Sequence, residues 1–162
     1  MRPLIASVLA ALAIGCSGAL DAPGPHSPLT VTRLRAEPFS FTYFSQIRQP
    51  ERLVIRDQVA WVNAWASLSP LGAPIAAPPN VDFDHEMIVL VALGERSTGG
   101  YSILIDSAGT NADGVTVWVG TSSPGAHCVT TQAFTQPVDV AKLPRIDAPV
   151  RFVGTSKLND CD

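Results

Sequence analysis

An uninterrupted apolar run extends from Met87 to Leu93. Because polar residues do not alternate with apolar ones in it, we expect a strand with both faces buried, in the middle of a sheet. A polar, glycine-bearing loop follows, and then a second apolar run, Ile103 to Ile105. Two strand-like runs joined by such a loop predict a β-hairpin over Glu86–Asp106, at the centre of the domain.

The same patterns predict the remaining strands. Alternation places Phe39, Phe41 and Tyr43 on one face of a first strand, which we interpret as a core face. Further strands or extended segments are expected at Arg52–Arg56, Val115–Val119, Val129–Ala141 and Val150–Val153.

One segment changes to helical spacing. Asp57 is a good N-cap, and Trp61, Trp65 and Leu68 follow at positions that share one helical face. The helix should end before Pro70. We expect the two tryptophans to pack against the sheet rather than to stack on a ligand.

Together these elements predict an α+β fold, mainly β: an antiparallel sheet with one amphipathic helix packed on it. The pattern leaves open whether the sheet is barrel-like or a sandwich.

Composition narrows the function classes. The chain has 162 residues, 46% of them hydrophobic and 15% charged, with a net charge of −3. This is enough apolar material for one core. Nucleic-acid binding is not expected, because it requires clustered cations.

The first residues predict export. Arg2 precedes an apolar stretch that is too short to span a bilayer, and the stretch ends at Cys16. The residues up to Cys16 resemble a bacterial lipobox, which predicts a signal peptide over 1–15, lipidation of Cys16 and an anchor in the bacterial cell envelope, at the periplasmic side of a membrane or the cell surface. An ordinary signal peptide is the alternative. The proline-rich residues 16–38 are then expected to be a tether, and residues 39–162 the β-rich domain.

Two cysteines remain, Cys128 and Cys161. In an oxidising compartment we expect a disulfide between them. A metal site that adds His127 and His85 is the alternative, although the usual ligand spacings are absent.

No nucleophile elbow, zinc-protease motif, phosphate loop or dinucleotide fingerprint occurs in the sequence. Asp82, Asp84, His85 and Glu86 form a polar cluster before the central strand, which could supply an acid–base pair or metal ligands. We favour a solvent-exposed strand entry, and we expect no catalytic residues, metal or cofactor.

The loop after the central strand is a candidate interface. Its glycines, Gly99 and Gly100, allow close approach of another chain, and Tyr101 could serve as an anchor. We predict a partner-binding loop, with an ordinary turn as the equal alternative. Its residues are Glu95, Arg96, Thr98, Gly99, Gly100 and Tyr101.

Several blocks in order, from Val81-Asp-Phe83 through Thr98-Gly-Gly-Tyr-Ser102 to Lys142-Leu-Pro144, resemble the family of PrcB C-terminal domains. The resemblance implies an exported, often lipid-anchored domain that associates with a surface protease complex, with no catalytic activity and no cofactor. It supplies no catalytic residues to transfer.

Thr98-Gly-Gly-Tyr101 also resembles the Thr-Gly-Tyr loop of chagasin-type cysteine-protease inhibitors, which are secreted β-sandwich proteins. This sequence has two glycines where that family has one. The similarity implies an inhibitor that uses the loop, as the alternative to an assembly subunit.

Overall fold

The computed structural model describes residues 26–34, 43–69, 72 and 77–161. Cys16 and the predicted signal peptide lie outside these residues. The described elements are β1 (Ser27–Leu29), β2 (Thr32–Arg33), β3 (Glu51–Ile55), α1 (Gln58–Leu68), β4 (Glu86–Ala92), β5 (Ser102–Asn111), β6 (Gly114–Pro124), β7 (Val138–Pro144) and β8 (Val150–Asn159).

The strands form two sheets of four. One has the order β1-β5-β6-β8 and the other the order β2-β7-β4-β3. All neighbours are antiparallel except β6 and β8, which are parallel. The predicted mainly β fold with one helix is therefore confirmed, and the arrangement is a sandwich rather than a barrel.

Strand β4 separates two apolar layers. Met87, Val89 and Val91 face the other sheet, in a cluster with residues of β5 and β6. The alternate residues of β4, such as Ile88 and Leu90, face the opposite way, in a cluster with the tryptophans of α1. All residues from Met87 to Ala92 are fully buried. The prediction that both faces of this strand are buried is confirmed.

Helix α1 forms the third layer. Asp57 caps it, because its side chain accepts a hydrogen bond from the Ala60 N–H at 2.8 Å. Trp61, Trp65 and Leu68 are buried against β4, and Trp61 Nε1 donates to the carbonyl of Pro79. The tryptophans therefore pack the core, as expected. No helix in the described part of the chain is long and apolar enough to cross a membrane.

The predicted hairpin over Glu86–Asp106 is wrong. Strand β4 pairs on one side with β3 and on the other with β7, so neither of its edges is free to accept β5. The connecting loop instead carries the chain from one sheet to the other. Strands β5 and β6 form a hairpin instead, and Asn111 pairs with Gly114 at its turn.

The folded part also begins before the predicted boundary at residues 38 and 39. Strand β1 pairs with β5, β2 pairs with β7, and Leu34 lies in the core. Residues 27–34 are thus part of the sandwich rather than a tether. Of the predicted first strand, Phe39 and Phe41 lie outside the described residues. Tyr43 lies in a turn and is 46% exposed, so its predicted place on a core face is wrong.

Candidate functional site

The loop between β4 and β5 is fastened to the segment that precedes β7. The Arg96 and Thr135 backbones exchange two hydrogen bonds, of 2.8 and 3.0 Å. The Gly99 N–H donates to the carbonyl of Thr131 at 2.9 Å, and the Thr135 hydroxyl donates to the carbonyl of Thr98 at 2.9 Å. The loop is therefore a fixed wall of the molecule and not a free tip.

The two consecutive glycines are required for different reasons. Gly99 is buried, and a Cβ atom there would collide with Oγ1 of Thr131. Gly100 has a φ of +87°, in the left-handed region that side chains rarely adopt, and it lies against Pro124 and Thr130. The two glycines were predicted to allow close approach of another chain. In the structure they allow close contact between two segments of this chain.

Two charged residues hold the loop from behind. Glu95 accepts a hydrogen bond from Gln136 Nε2 at 3.0 Å and lies 3.6 Å from Arg48. Arg96 donates from Nη2 to the carbonyl of Leu93 at 3.0 Å, and its guanidinium carbon lies 5.7 Å from the centre of the Tyr101 ring. The cation therefore helps to fix the ring of Tyr101.

A groove of about 460 Å³ opens beside this loop. Tyr43 and Phe44 line it with side chains that are 46% and 47% exposed. Their segment is attached to the same wall, because the carbonyl of Tyr43 accepts from the Gln136 N–H at 2.8 Å. The remaining lining residues are Gly99, Gly100, Tyr101, Ser102, Ser122, Thr131, Thr135 and Asn159.

The groove combines exposed rings with neutral hydrogen-bonding groups. Tyr43, Phe44 and Tyr101 supply apolar area, while serine and threonine hydroxyls and the amide of Asn159 supply donors and acceptors. Among the residues that the structure describes, no carboxylate, imidazole or amine lines this groove. Exposed aromatic residues are enriched at protein-binding surfaces.

The six residues predicted for the partner-binding loop divide into two sets. Gly99, Gly100 and Tyr101 line the groove, whereas Glu95, Arg96 and Thr98 stabilise the loop behind it. The sequence did not predict the lining residues outside this loop, such as Tyr43, Phe44 and Asn159. The alternation that ends at Tyr43 was the available signal, but alternation alone predicts a core face.

The polar cluster before β4 is separate from the groove. His85 Nδ1 lies 2.9 Å from Asp82 Oδ2, and this hydrogen bond raises the pKa of His85 and lowers that of Asp82. Lys142 Nζ donates to Glu86 Oε1 at 2.8 Å, and this hydrogen bond lowers the pKa of Glu86. In each pair the two side chains bind each other, as expected for a solvent-exposed strand entry.

Cys128 and Cys161 form a disulfide, with their Cα atoms 5.0 Å apart. The alternative metal site is wrong, because both sulfur atoms are used in this bond. Within the described ranges, no group of three or more His, Cys, Asp or Glu side chains is placed to hold a metal ion. The bond joins the end of β8 to the chain just before Thr131, beside the groove.

These features define a two-sheet β-sandwich with a disulfide and a groove at a glycine-bearing crossover loop. The model of the PrcB C-terminal family matches residues 87–144, from the start of β4 to the end of β7, which confirms the resemblance predicted from the sequence. The match includes the whole crossover loop but not α1 or β8. Comparison of the chain with curated proteins and with solved structures finds no match.

Proposed function

We propose that this chain is an exported, lipid-anchored, non-catalytic protein that binds a protein partner through the groove and acts as an assembly subunit of a surface protease complex. The family match supports association with a protease complex. It is the observation that carries the proposal.

The groove supports a binding role. Tyr43 and Phe44 keep nearly half of their surface exposed, so both rings are accessible to a partner. Exposed aromatic rings beside a rigid loop lose little conformational entropy when a partner covers them. Because Arg96 and Thr135 fix the loop, the surface is formed before the partner arrives.

The anchor rests on Cys16 and on the apolar stretch before it. Since β1 begins at Ser27, the ten residues 17–26 would span at most about 35 Å. A lipidated Cys16 would therefore keep the sandwich close to the membrane surface. Cys16→Ser should move the protein from the membrane fraction to the soluble fraction, and an unchanged distribution would refute the anchor.

A chagasin-type inhibitor is the second candidate, favoured by the sandwich fold and by the position of Thr98–Tyr101 at the groove. That mechanism needs a loop that enters a protease cleft. Burial of Gly99 and the hydrogen bonds to Thr131 and Thr135 disfavour it. Slowing of papain-like proteases by the purified protein would support the inhibitor, and no effect on a broad protease panel would remove it.

Affinity capture from gently solubilised membranes, followed by mass spectrometry, tests the assembly function. We expect a protease or its assembly factors to co-purify with the wild-type chain and to be depleted with Tyr101→Ala. Equal recovery of the same proteins by both baits would contradict binding through the groove.

A further inference from the structure

Strand β8 presents a long edge with no neighbouring strand in the part of the chain that the structure describes. It has ten residues and lies at the end of its sheet. It pairs with β6 from Val150 to Asn159 without a bulge, and it contains no proline. Long edges in natural sheets are normally shortened, bulged, interrupted by proline or protected by charged side chains, because they are templates for an added strand.

The other described edges show this protection. Strand β1 has three residues and includes Pro28, and β2 has two residues. Strand β3 has five residues, follows Pro50 and leads directly into α1. The edge of β8 is the longest of these four, and its protection comes from charge alone, through Arg151 and Lys157.

The direction of two carbonyls identifies the backbone groups on the free edge. The Thr155 carbonyl accepts from Thr121 Oγ1 at 3.1 Å, and the Asn159 carbonyl accepts from the Gly125 N–H at 2.7 Å. Both partners lie on the β6 side. Because successive residues of a strand direct their backbone groups to opposite sides, the alternate residues must point outward. These are Val150, Phe152, Gly154, Ser156 and Leu158.

The charge of β8 indicates which kind of strand could pair with its free edge. Arg151 and Lys157 are exposed on one face, six residues apart, and the strand has no acidic residue, although the whole chain has a net charge of −3. Arg151 also donates from Nε to Thr116 Oγ1 of β6 at 2.8 Å. A second copy in antiparallel pairing centred on Gly154 would place Arg151 directly opposite Lys157. Like charges in that position are destabilising, so this pairing of two copies is disfavoured, whereas an acidic strand complements both cations.

We propose that the free edge of β8 binds an extended, acidic segment of a protein partner by β-strand addition. Main-chain hydrogen bonds to the outward groups would supply affinity, and carboxylates opposite Arg151 and Lys157 would supply selectivity. Strand β8 lies outside the residues matched by the family model. Of the β8 residues only Asn159, at the end of the strand, also lines the groove, so the inference does not rest on the proposed function.

A pair of variants at Gly154 tests the backbone contribution. A Cβ at Gly154 meets only the carbonyl of Val119, at 4.0 Å, so there is room for a side chain. Gly154→Pro removes one outward N–H, whereas Gly154→Ala keeps it and serves as the control. The probe is a short fluorescent peptide rich in threonine and valine, with two glutamates six residues apart, titrated by anisotropy. We expect Gly154→Pro to weaken binding about tenfold or more and Gly154→Ala to leave it within about twofold.

Charge variants provide a test that does not depend on how proline is tolerated. Lys157→Glu should reduce affinity for the glutamate peptide and increase affinity for a peptide with lysines at the same positions, while Lys157→Arg should keep the original preference. Amide NMR signals of Phe152 to Leu158 should shift on binding.

Three outcomes would overturn the proposal. One is equal affinity of the glutamate and lysine peptides, and another is equal binding by the two Gly154 variants. The third is a concentration-dependent dimer that Gly154→Pro abolishes, which would identify a second copy as the occupant.

Discussion

Asp139 of β7 accepts a hydrogen bond from the backbone N–H of Ile105 in β5, at 2.8 Å, and so joins the two sheets. Arg33 completes the arrangement, because its Nη2 donates to the carbonyl of Ile105 at 2.6 Å and its Nε lies 3.3 Å from Asp139. Strand β1 pairs only with Ala108 to Thr110 of β5. Strand β1 does not extend as far as Ile105. The side chains of Asp139 and Arg33 therefore form the hydrogen bonds to its N–H and its carbonyl.

Removing this carboxylate should destabilise the sandwich. Asp139→Ala leaves the buried N–H of Ile105 without an acceptor, which should lower the free energy of unfolding by about 2–3 kcal/mol. Asp139→Asn keeps an acceptor oxygen and should lower it by about 1 kcal/mol. Chemical denaturation measures both, and equal losses in the two variants would contradict the role of the hydrogen bond.

Gly99→Ala should lower stability through a collision that a second substitution relieves. The added Cβ meets Oγ1 of Thr131. We expect a loss of about 1–2 kcal/mol in the wild-type background and less than about half of that in Thr131→Ala, since the oxygen is then absent. A double-mutant cycle from urea denaturation checks this. Equal costs in both backgrounds would show that the close contact does not limit residue 99.

The helix and several strands could be predicted from local patterns, whereas β1 and β2 lie in the segment predicted to be a tether. The unbroken apolar run of β4 has a direct physical meaning, because the strand contributes to clusters on both of its faces. The cap at Asp57 and the spacing of Trp61 and Trp65 likewise act within one helix. Such signals depend on neighbouring residues alone.

Strand pairing could not be predicted in the same way. Proximity in the sequence favoured β5 as the partner of β4, but β3 and β7 occupy both edges of β4. The groove depends on similar long-range contacts. Tyr43, Thr131 and Asn159 are distant in the chain and meet at Gly99–Tyr101 only after the sheets have packed.

Loss of the disulfide should reduce stability and loosen the chain beside the groove. Cys128 and Cys161 are 33 residues apart, and closing a loop of this length contributes about 3–4 kcal/mol in the chain-entropy model. Replacing both cysteines by serine should lower the free energy of unfolding by up to this amount. A reductant should have the same effect on the wild type and none on the double variant. Destabilisation of the double variant by reductant would contradict this origin.

Acidification should weaken the contact between Glu86 and Lys142. The hydrogen bond from Lys142 lowers the pKa of Glu86 in the folded state, so its contribution is present above the unfolded pKa and is lost as pH falls through the folded pKa. We expect about 0.5–1 kcal/mol at neutral pH. Unfolding of Glu86→Gln between about pH 6 and about pH 3 should show a shallower pH dependence than the wild type.

Lys142→Met provides the control for this ion pair, because in that background Glu86→Gln should have a smaller effect on the pH dependence, owing to the remaining hydrogen bond from the Asp82 N–H at 3.2 Å. If Glu86→Gln flattens the profile equally after Lys142 is removed, the contribution does not come from the ion pair.

The groove is tested most directly by removing its exposed rings and measuring recovery of the partner. The variant Tyr43→Ser with Phe44→Ser removes the two rings, while Val59→Ser removes an apolar side chain that is 72% exposed on α1 and does not line the groove. In quantitative affinity capture from solubilised membranes, we predict that the double variant recovers about tenfold less partner and that Val59→Ser recovers the wild-type amount to within about twofold. Equal recovery by all three folded proteins would contradict the account.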